Sequence, residues 1–320
     1  MLITQFAVAM LSAGILALGA GVVWSQNYPN KPIRILTAAP GGGLDFAARL
    51  VAQGISGSLA QQVIVDNRGG PFRPGEIVAN APRDGYTLLV GSNNLWLSQF
   101  IQSNVPYDAI RDFSPITTVA RSPSFLVVHP SVPVKSVKDL IALAKTRPGK
   151  LNYASGITGG ADHLAAELFK AMAGVDIVRI AYKGAGPATI DLLGGQVQLQ
   201  FGTGGAVAPH IRANKLRALA VTSAKPSVVF PDLPTVAETV PGYESVQIVG
   251  VWAPAKTPAT IINRLNREIA KAAASADMKE KFLSSGVEVA SSAPEQFATI
   301  IKSDMVKWSK LSKDAGIRES

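Results

Sequence analysis

One unit recurs along most of the chain: an apolar strand pattern, a Gly-rich turn and an amphipathic helix pattern. It first occurs as KPIRILTAA, PGGG and LDFAARLVAQGISGSL. β-Branched residues with a period of two predict the strand, and apolar spacings of three and four predict the helix. The strands QQVIVDNR and YTLLVGS follow, separated by the short helix GEIVANAPRDG. Alternation of this kind predicts an α/β fold in which helices flank a mostly parallel sheet.

A second series of these units is inserted into the first. The apolar strand SFLVV precedes it, and the long apolar strand ESVQIVGVWAP follows it. A chain of 320 residues is long enough for two domains, since single cores stop growing near ~250 residues. We therefore predict two lobes, residues 27–126 with 250–320 and residues 127–249. Two extended strands, near residues 125–129 and 247–252, would form the hinge between the lobes.

The N-terminal segment predicts export. No charged side chain occurs between Met1 and Asn30, and the run FAVAMLSAGILALGAGVVW is almost entirely apolar. Val23 and Ser25 stand where a signal peptidase reads compact residues, so residues 1–26 are interpreted as a cleaved signal peptide of a periplasmic protein. The apolar run also approaches the ~20 residues that span a bilayer, which makes an uncleaved anchor the alternative. The lack of lysine and arginine at its start is atypical of a signal peptide.

Composition narrows the classes of function. The chain contains no cysteine, which excludes disulfide scaffolds, thiol catalysis and cysteine zinc sites and suits an oxidising compartment. The formal net charge is +9, but lysine and arginine are dispersed and no basic run is interleaved with aromatic residues. This pattern argues against a nucleic-acid partner. The positive surplus is compatible with anionic ligands.

Gly-rich turns follow several of the predicted strands, at residues 40–45, 91–94, 155–160, 184–187 and 202–205. Because ligands of open parallel sheets bind outside the carboxyl ends of the strands, these turns should face one cleft between the lobes. Glycine lets backbone N–H groups approach a ligand closely, and a helix N-terminus adds about half a positive charge. Such turns suit a carboxylate or a phosphate; tight packing between strand and helix is the alternative reason for the glycines.

Catalytic and nucleotide-binding signatures are missing from the sequence. His129, His163 and His210 have no metal-site spacing, and only His163 follows a Gly-rich loop, where it could contact a ligand or stabilise the loop. Neither G-x-S-x-G nor G-x-x-x-x-G-K-[ST] occurs, and GGGLDF departs from the dinucleotide pattern at Phe46. Asp45 would repel an anion in the first turn, so we expect its carboxylate to cap that loop. We expect no catalysis, no cofactor and no metal.

Several motifs lie in order along the chain: YPNKPIRILTAAPGGGLDFAARL, APRDGYTLLVGS, LNYASGITGGADHLAAELF, IAYKGAGPATIDLLGGQVQLQF and APHIRANKLRALAVTS. Together they resemble the Bug family, the periplasmic solute-binding proteins of tripartite tricarboxylate transporters. The resemblance covers essentially the whole mature chain. It implies a two-lobed, type II-like periplasmic binding fold, a small carboxylate in the interdomain cleft, and membrane subunits of such a transporter as partners. We expect a monomer.

The resemblance implies ligand-binding residues in the turns described above. The PGG turn would receive a carboxylate on its backbone, directly or through water, and the later loops would donate further hydrogen bonds. Lys183 could neutralise the ligand or lie on the surface. The candidate ligand-binding residues are Pro40, Gly41, Gly42, Gly43, Asp45, Phe72, Arg73, Ser92, Asn93, Asn94, Ser155, Thr158, Gly159, His163, Lys183, Gly202 and Thr203.

Three departures from the family pattern concern the ligand. Small or apolar residues surround the PGG turn, GGPFRPGE replaces the usual GAGG stretch, and Gly202 stands where an aspartate is common. Without that acid an α-ammonium group would be buried unpaired, which disfavours amino-acid ligands. Arg73 offers a planar fork for a second carboxylate, and Phe72 could stack on an aromatic ring. We therefore expect dicarboxylates, including aromatic ones; the alternative is that Phe72 only packs its loop and Arg73 points to solvent.

Two other functions are compatible with the residues alone. A periplasmic enzyme acting on a carboxylic acid would need a positioned acid–base pair or nucleophile, and none can be assigned. A sensory receptor subunit would bind the same ligand and present it to a sensor. Sequence does not separate this role from transport.

Overall fold

The computed structural model describes residues 28–314 except 101, 103 and 157, with side chains as far as Lys310. The predicted signal peptide lies outside the described residues. Among the helices that are described, none combines the length and apolar character needed to span a membrane.

The first lobe begins with an alternating series of strands and helices. These are β1 (Ile33–Thr37), α1 (Gly43–Leu59), β2 (Val63–Asn67), α2 (Arg73–Ala79) and β3 (Thr87–Ser92). β1 lies between β2 and β3 and is parallel to both, as the alternation predicts. Its apolar side chains are fully buried, and the carboxyl ends of all three strands lie on one edge of the sheet. The short helix α3 (Asn94–Leu97) follows β3 directly.

One long strand, β4 (Phe113–Val128), connects the two lobes. Its residues 113–123 pair antiparallel with β9 (Val246–Pro254). Its residues 124–128 pair instead with β7 (Leu199–Thr203) and β8 (Arg217–Val221), also antiparallel. The change of partner at Ser124 marks where β4 leaves the first lobe and enters the second.

The chain returns to the first lobe beside this crossing, through the residues that precede β9. Thr222 joins the two crossings: its hydroxyl oxygen accepts the N–H of Ser124 at 2.7 Å and lies 2.6 Å from the carbonyl oxygen of Ser245. The hydroxyl is fully buried. A buried hydroxyl bonded on both sides holds the crossings in register, since leaving either group unpaired would cost about 1–3 kcal/mol.

The second lobe repeats the strand–helix alternation. Its elements, besides β7 and β8, are α4 (Val137–Thr146), β5 (Asn152–Ser155), α5 (Ala161–Ala173), β6 (Val178–Ala181), α6 (Ala185–Leu193) and α7 (Gly204–Arg212). β5 lies between β6 and β7 and is parallel to both. The main sheet order is β2-β1-β3-β9-β4-β7-β5-β6. The predicted parallel pairing thus holds for β1–β3 and for β5–β7. β4 and β9 pair antiparallel instead, because β4 leads out of the first lobe and β9 follows the return of the chain into it.

The C-terminal part returns to the first lobe as α8 (Ala259–Ala273), α9 (Ala276–Ser284), β10 (Glu288–Val289) and α10 (Pro294–Asp314). An aromatic cluster fixes α10 and α3 over the sheet. The ring of Trp252 on β9 lies 4.8 Å from that of Phe297 on α10 and 6.0 Å from that of Trp96 on α3. These rings are fully buried, so the loop after β3 is held on a rigid core.

Candidate functional site

The turn after β1 presents backbone N–H groups. Gly41 has φ of +83°, a left-handed conformation that favours glycine, and the residue before α1, Gly42, caps no N–H group with a side chain. The first N–H groups of a helix have no partner within it, so those of α1 remain free for another acceptor. Gly41, Gly42 and Gly43 are exposed. The turn is therefore open to an anion.

The carboxylate of Asp45 stabilises this turn through hydrogen bonds. It is 5% exposed; its Oδ2 accepts the N–H of Gly41 at 2.9 Å, and its Oδ1 accepts from Asn67 at 2.8 Å. Arg49 lies 3.0 Å from Oδ1. Burial alone would raise the pKa of the Asp45 carboxyl, but these hydrogen bonds outweigh it and hold the pKa below its ordinary value. The predicted capping role is confirmed, and both carboxylate oxygens are used within the lobe.

The loop after β2 contacts the same turn, and the two residues that follow it, Phe72 and Arg73, have other partners. The Asn67 amide donates to the carbonyl oxygen of Ala38 at 2.8 Å. Phe72 packs edge-on against Tyr107, with ring centroids 6.2 Å apart. Arg73 pairs with Glu76 at 2.9 Å, and its side chain is 59% exposed. The Phe72 ring thus has a packing partner, and the Arg73 guanidinium has an ion-pair partner, within the first lobe.

The loop after β3 meets the second lobe. Asn93 is buried; its N–H donates to the carbonyl oxygen of Ile248 at 3.0 Å, and its amide donates to that of Val246 at 3.3 Å. It lines a cavity of about 20 Å³ together with Ala161 and Leu164 at the start of α5. That volume holds about one water molecule. Strand ends of the two lobes therefore face each other here, with Ser92 buried beside Asn93 and Asn94 partly buried at the start of α3.

The loop between β5 and α5 consists of residues 155–160 and is closed by its own helix. The carboxylate of Asp162 accepts the N–H of Gly156 at 2.5 Å, and Nδ1 of His163 accepts the N–H of Gly159 at 3.1 Å. Burial raises the pKa of the Asp162 carboxyl. Burial, with the nearby positive charge of Arg179, lowers the pKa of His163 from 6.5 to about 4. The imidazole is neutral at pH 7, and because Nδ1 accepts, Nε2 carries the hydrogen.

Arg179 is the site residue that the sequence analysis missed. It lies on β6, half-buried, and its guanidinium donates to Ser155 Oγ at 2.8 Å and to Thr158 Oγ1 at 3.1 Å. The only signal was a charged residue inside the apolar strand pattern DIVRIAY. Nothing in that pattern predicts that β6 pairs with β5 in a register that brings Arg179 to the loop.

The loop after β6 touches the loop after β5. A Cβ atom at Gly156 would lie 3.3 Å from the backbone of Gly184, so these two glycines form a close backbone contact. Lys183 is exposed, and among the described residues it forms no ion pair. The two loops thus bring hydroxyl, imidazole and ammonium donors to the same edge of the second lobe.

Gly202 is buried against the helix that follows β7. A Cβ atom there would lie 2.2 Å from Cγ1 of Val207 on α7, inside the packing between β7 and its helix. The missing aspartate is therefore accompanied by a valine that fills the space. Thr203 is partly buried at the start of α7 and caps no N–H group of that helix with its side chain.

The start of α7 also touches the first lobe. A Cβ atom at Gly204 would lie 2.7 Å from the carbonyl oxygen of Gly286, which follows α9. Nearby, Ser227 of the second lobe donates to Glu288 of the first at 3.0 Å. These contacts hold the lobes together beside the crossing strands. In the described part of the chain, no cluster of His, Asp or Glu side chains could hold a metal ion.

The candidate residues follow the carboxyl ends of strands in both lobes, and comparison with known proteins identifies the family. Residues 47–317 match the family described as tripartite tricarboxylate transporter family receptor, TctC. The chain belongs to this family. A UPF0065 protein of Pseudomonas sp., from a tcbD–tcbE intergenic region, is 38% identical over 89% of this chain and 86% of its own length. BugT of Bordetella pertussis is 35% identical over 99% and 98%, which confirms the predicted resemblance to Bug proteins.

Solved structures of similar proteins share the fold. An adipate-bound protein of R. palustris has a TM-score of 0.79 at 35% identity, covering 90% of this chain and 98% of its own. MatC of Rhodopseudomonas palustris, with bound malate, has a TM-score of 0.76 at 25% identity, covering 89% and 99%. The predicted two-lobed fold of periplasmic binding proteins is confirmed, and the chain is a solute-binding receptor of the TctC type.

Proposed function

We propose that this chain is an exported periplasmic protein that binds a small dicarboxylate between its lobes without altering it. In this proposal it acts as a monomer and delivers the ligand to the membrane subunits of a tripartite tricarboxylate transporter. One observation carries the proposal: the exposed turn after β1 of the first lobe offers backbone N–H groups, and the exposed Lys183 follows β6 of the second lobe, beside the loop after β5. A ligand with an anionic group at each end matches that pair.

The comparisons support the class of ligand. Two structures similar to this chain contain adipate and malate, and both ligands are dicarboxylates. The family description supports the transporter as the partner. Another structural relative, 34% identical, is a periplasmic transporter protein, which agrees with the predicted signal peptide. The second carboxylate contact first expected from Arg73 finds no support in its pairing with Glu76.

A ligand panel tests the proposed function. We would measure thermal unfolding of the mature protein with adipate, malate, terephthalate, the matched monocarboxylates and 2-aminoadipate. At a hundredfold excess over its dissociation constant, a ligand should stabilise the protein by about 2.7 kcal/mol. Dicarboxylates should stabilise most and the amino acid less. Failure of every dicarboxylate, or conversion of an acid detected by mass spectrometry, would contradict the proposal.

Gly42→Val should weaken dicarboxylate binding by about tenfold to a hundredfold, because a side chain blocks approach to the N–H groups of the turn and hydrogen bonds to a charged group contribute about 1.5–3 kcal/mol. The fold should tolerate the change, since φ at Gly42 is −91° and the nearest atom to a Cβ, the Ala39 oxygen, is 3.9 Å away. Calorimetry measures the affinity. Gly57→Val, at the far end of α1 with no atom within 4 Å, is the control and should bind normally. Equal affinities would exclude the turn as a carboxylate site.

Ligand binding is proposed to close the lobes (residues 27–126 with 250–320, and 127–249) by bending of the crossing strands. Gly204→Ala should oppose closure, because its Cβ would meet the carbonyl oxygen of Gly286 at 2.7 Å. We expect weaker binding and a larger radius of gyration of the liganded variant in small-angle scattering.

Gly205→Ala is the matched control for Gly204→Ala. The neighbouring position has its nearest contact at 3.7 Å, from the oxygen of Ser285, so an added methyl group fits there. The control should bind and scatter as the unmodified protein does. If Gly204→Ala behaves like Gly205→Ala, the Gly204–Gly286 contact plays no part in closure.

A further inference from the structure

A cavity of about 370 Å³ lies where the crossing strands meet the start of α10. Its walls include Thr118 and Arg121 of β4, Ile248 of β9, and Gln296 and Thr299 of α10. Arg121 and Ile248 are paired directly in the antiparallel β4–β9 ladder, just before β4 changes partner. In the described chain, none of the candidate ligand-binding residues lines this cavity. Its volume lies within the range of ~300–1,000 Å³ that is typical of small-molecule sites.

Thr118 carries an unpaired hydroxyl at this cavity. The residue is 4% exposed. Both of its backbone groups are bonded: the N–H donates to Ser292 Oγ at 3.1 Å, and the carbonyl oxygen accepts from Thr117 Oγ1 at 2.9 Å. Its own hydroxyl forms no hydrogen bond with another described residue. Because buried polar groups normally have a partner, this hydroxyl indicates a polar molecule in the cavity.

Two further side chains bring donors and a positive charge to the cavity. Arg121 donates through Nη2 to Glu244 at 3.0 Å, and its other N–H groups have no acceptor in the described part of the chain. The amide oxygen of Gln296 accepts the N–H of Ala293 at 3.1 Å, which leaves the NH2 group as a donor. No aspartate or glutamate is found among the described residues that line the cavity. A guanidinium with free N–H groups and no acid in the walls favours a carboxylate.

The remaining walls are largely apolar. Ile248 is 8% exposed, and Ile300 and Ala290 are partly buried. Small-molecule sites commonly combine such apolar walls with a few polar groups that fix the orientation of the ligand. The occupant that matches these walls therefore has an anionic end and an apolar body.

We propose that this cavity is a second binding site, which takes a small carboxylate with an apolar body such as an aromatic ring. The carboxylate accepts from Arg121 and Thr118, and the ring contacts Ile248 and Ile300. The site does not depend on the proposed function, because it shares no residue with the turns and loops assigned to the dicarboxylate.

Methyl NMR of isoleucine-labelled protein tests the site with benzoate as the probe. The methyl resonances of Ile248 and Ile300, each assigned from an Ile→Val variant, should shift with a saturable dependence on benzoate. The shifts should be the same with and without excess adipate, which separates this site from the dicarboxylate site. Benzyl alcohol, which has the same ring without the charge, should bind at least about tenfold more weakly. Absence of saturable shifts at both isoleucines, or equal affinity for the alcohol, would overturn the inference and leave the proposed function untouched.

Two variants break the same ion pair from opposite sides. Arg121→Gln should weaken benzoate binding at least about tenfold, because it removes hydrogen bonds to a charged group. Glu244→Gln leaves the guanidinium in place and frees it, so benzoate should bind as tightly as before or more tightly. Equal losses in the two variants would show that the ion pair only shapes the cavity, and the assignment of Arg121 would be wrong.

Two more variants test the other walls. Thr118→Val keeps the shape of the side chain and removes the unpaired hydroxyl, so benzoate should bind several-fold more weakly. Thr299 is exposed on α10, and Thr299→Phe should abolish the benzoate shifts by filling the cavity. This last variant carries the test if Arg121→Gln fails to fold. Normal benzoate binding by folded Thr299→Phe would place the ligand elsewhere and overturn the site.

Discussion

Gly202→Asp should lower the free energy of unfolding by at least about 3 kcal/mol. A Cβ atom at this position would lie 2.2 Å from Cγ1 of Val207, far inside van der Waals contact. The carboxylate would also enter the buried apolar cluster that contains Val207 and Phe125. An unpaired charge there costs several kcal/mol. Urea denaturation at pH 7 measures the loss.

Two further variants separate the causes. Gly202→Ala adds the atom without the charge and should cost about 1–3 kcal/mol. Val207→Ala removes the clashing methyl groups, so Gly202→Asp/Val207→Ala should be less destabilised than the sum of the two single variants. A Gly202→Asp protein as stable as the unmodified one would mean that Val207 moves aside and leaves room for an acid.

Acidification should destabilise the protein through His163 by up to about 3 kcal/mol. Burial and Arg179 lower its pKa from 6.5 to about 4, so the folded state resists protonation that the unfolded state accepts. Between these pH values the unfolded chain binds more protons, and stability therefore falls as the pH is lowered from 6.5. The loss is complete below pH 4, where both states are protonated.

The measurement is a difference between two proteins. Other groups titrate in the same range, and the pKa of Asp162, raised by burial, acts in the opposite direction. Denaturant unfolding of the unmodified protein and of His163→Gln from pH 7 to pH 4 cancels these contributions. The variant should lose less stability on acidification. Parallel pH profiles would show that His163 is not buried as a neutral ring.

Local patterns predicted much of the fold. The strand KPIRILTAA and the helix LDFAARLVAQGISGSL became β1 and α1, because periods of two and of 3.6 are local properties that select the buried face. The turn between them was also predictable: glycines permit the left-handed φ of Gly41, and Asp45 caps the loop from only four residues away. Contacts this close in sequence follow from the backbone of one turn.

Longer-range features required the folded chain. Asn93 was a candidate ligand donor, yet its amide is bonded to Val246, which lies on a strand more than a hundred residues later. The ring of Phe72 packs against that of Tyr107, and Arg73 pairs with Glu76. The two residues that depart from the family pattern thus make contacts within the first lobe. Gly202 was interpreted as a missing ligand contact, but its position faces Val207.

The sequence by itself determined the elements, the glycine turns and the α/β class, because each depends on residues within a few positions of one another. Only the tertiary structure decided that β4 changes partners at Ser124, that Gly204 meets Gly286 across the lobes, and that Arg179 donates to Ser155 and Thr158. These contacts depend on strand register and on the packing of one lobe against the other. The register between two strands depends on which faces of both strands are buried. No short stretch of sequence contains that information.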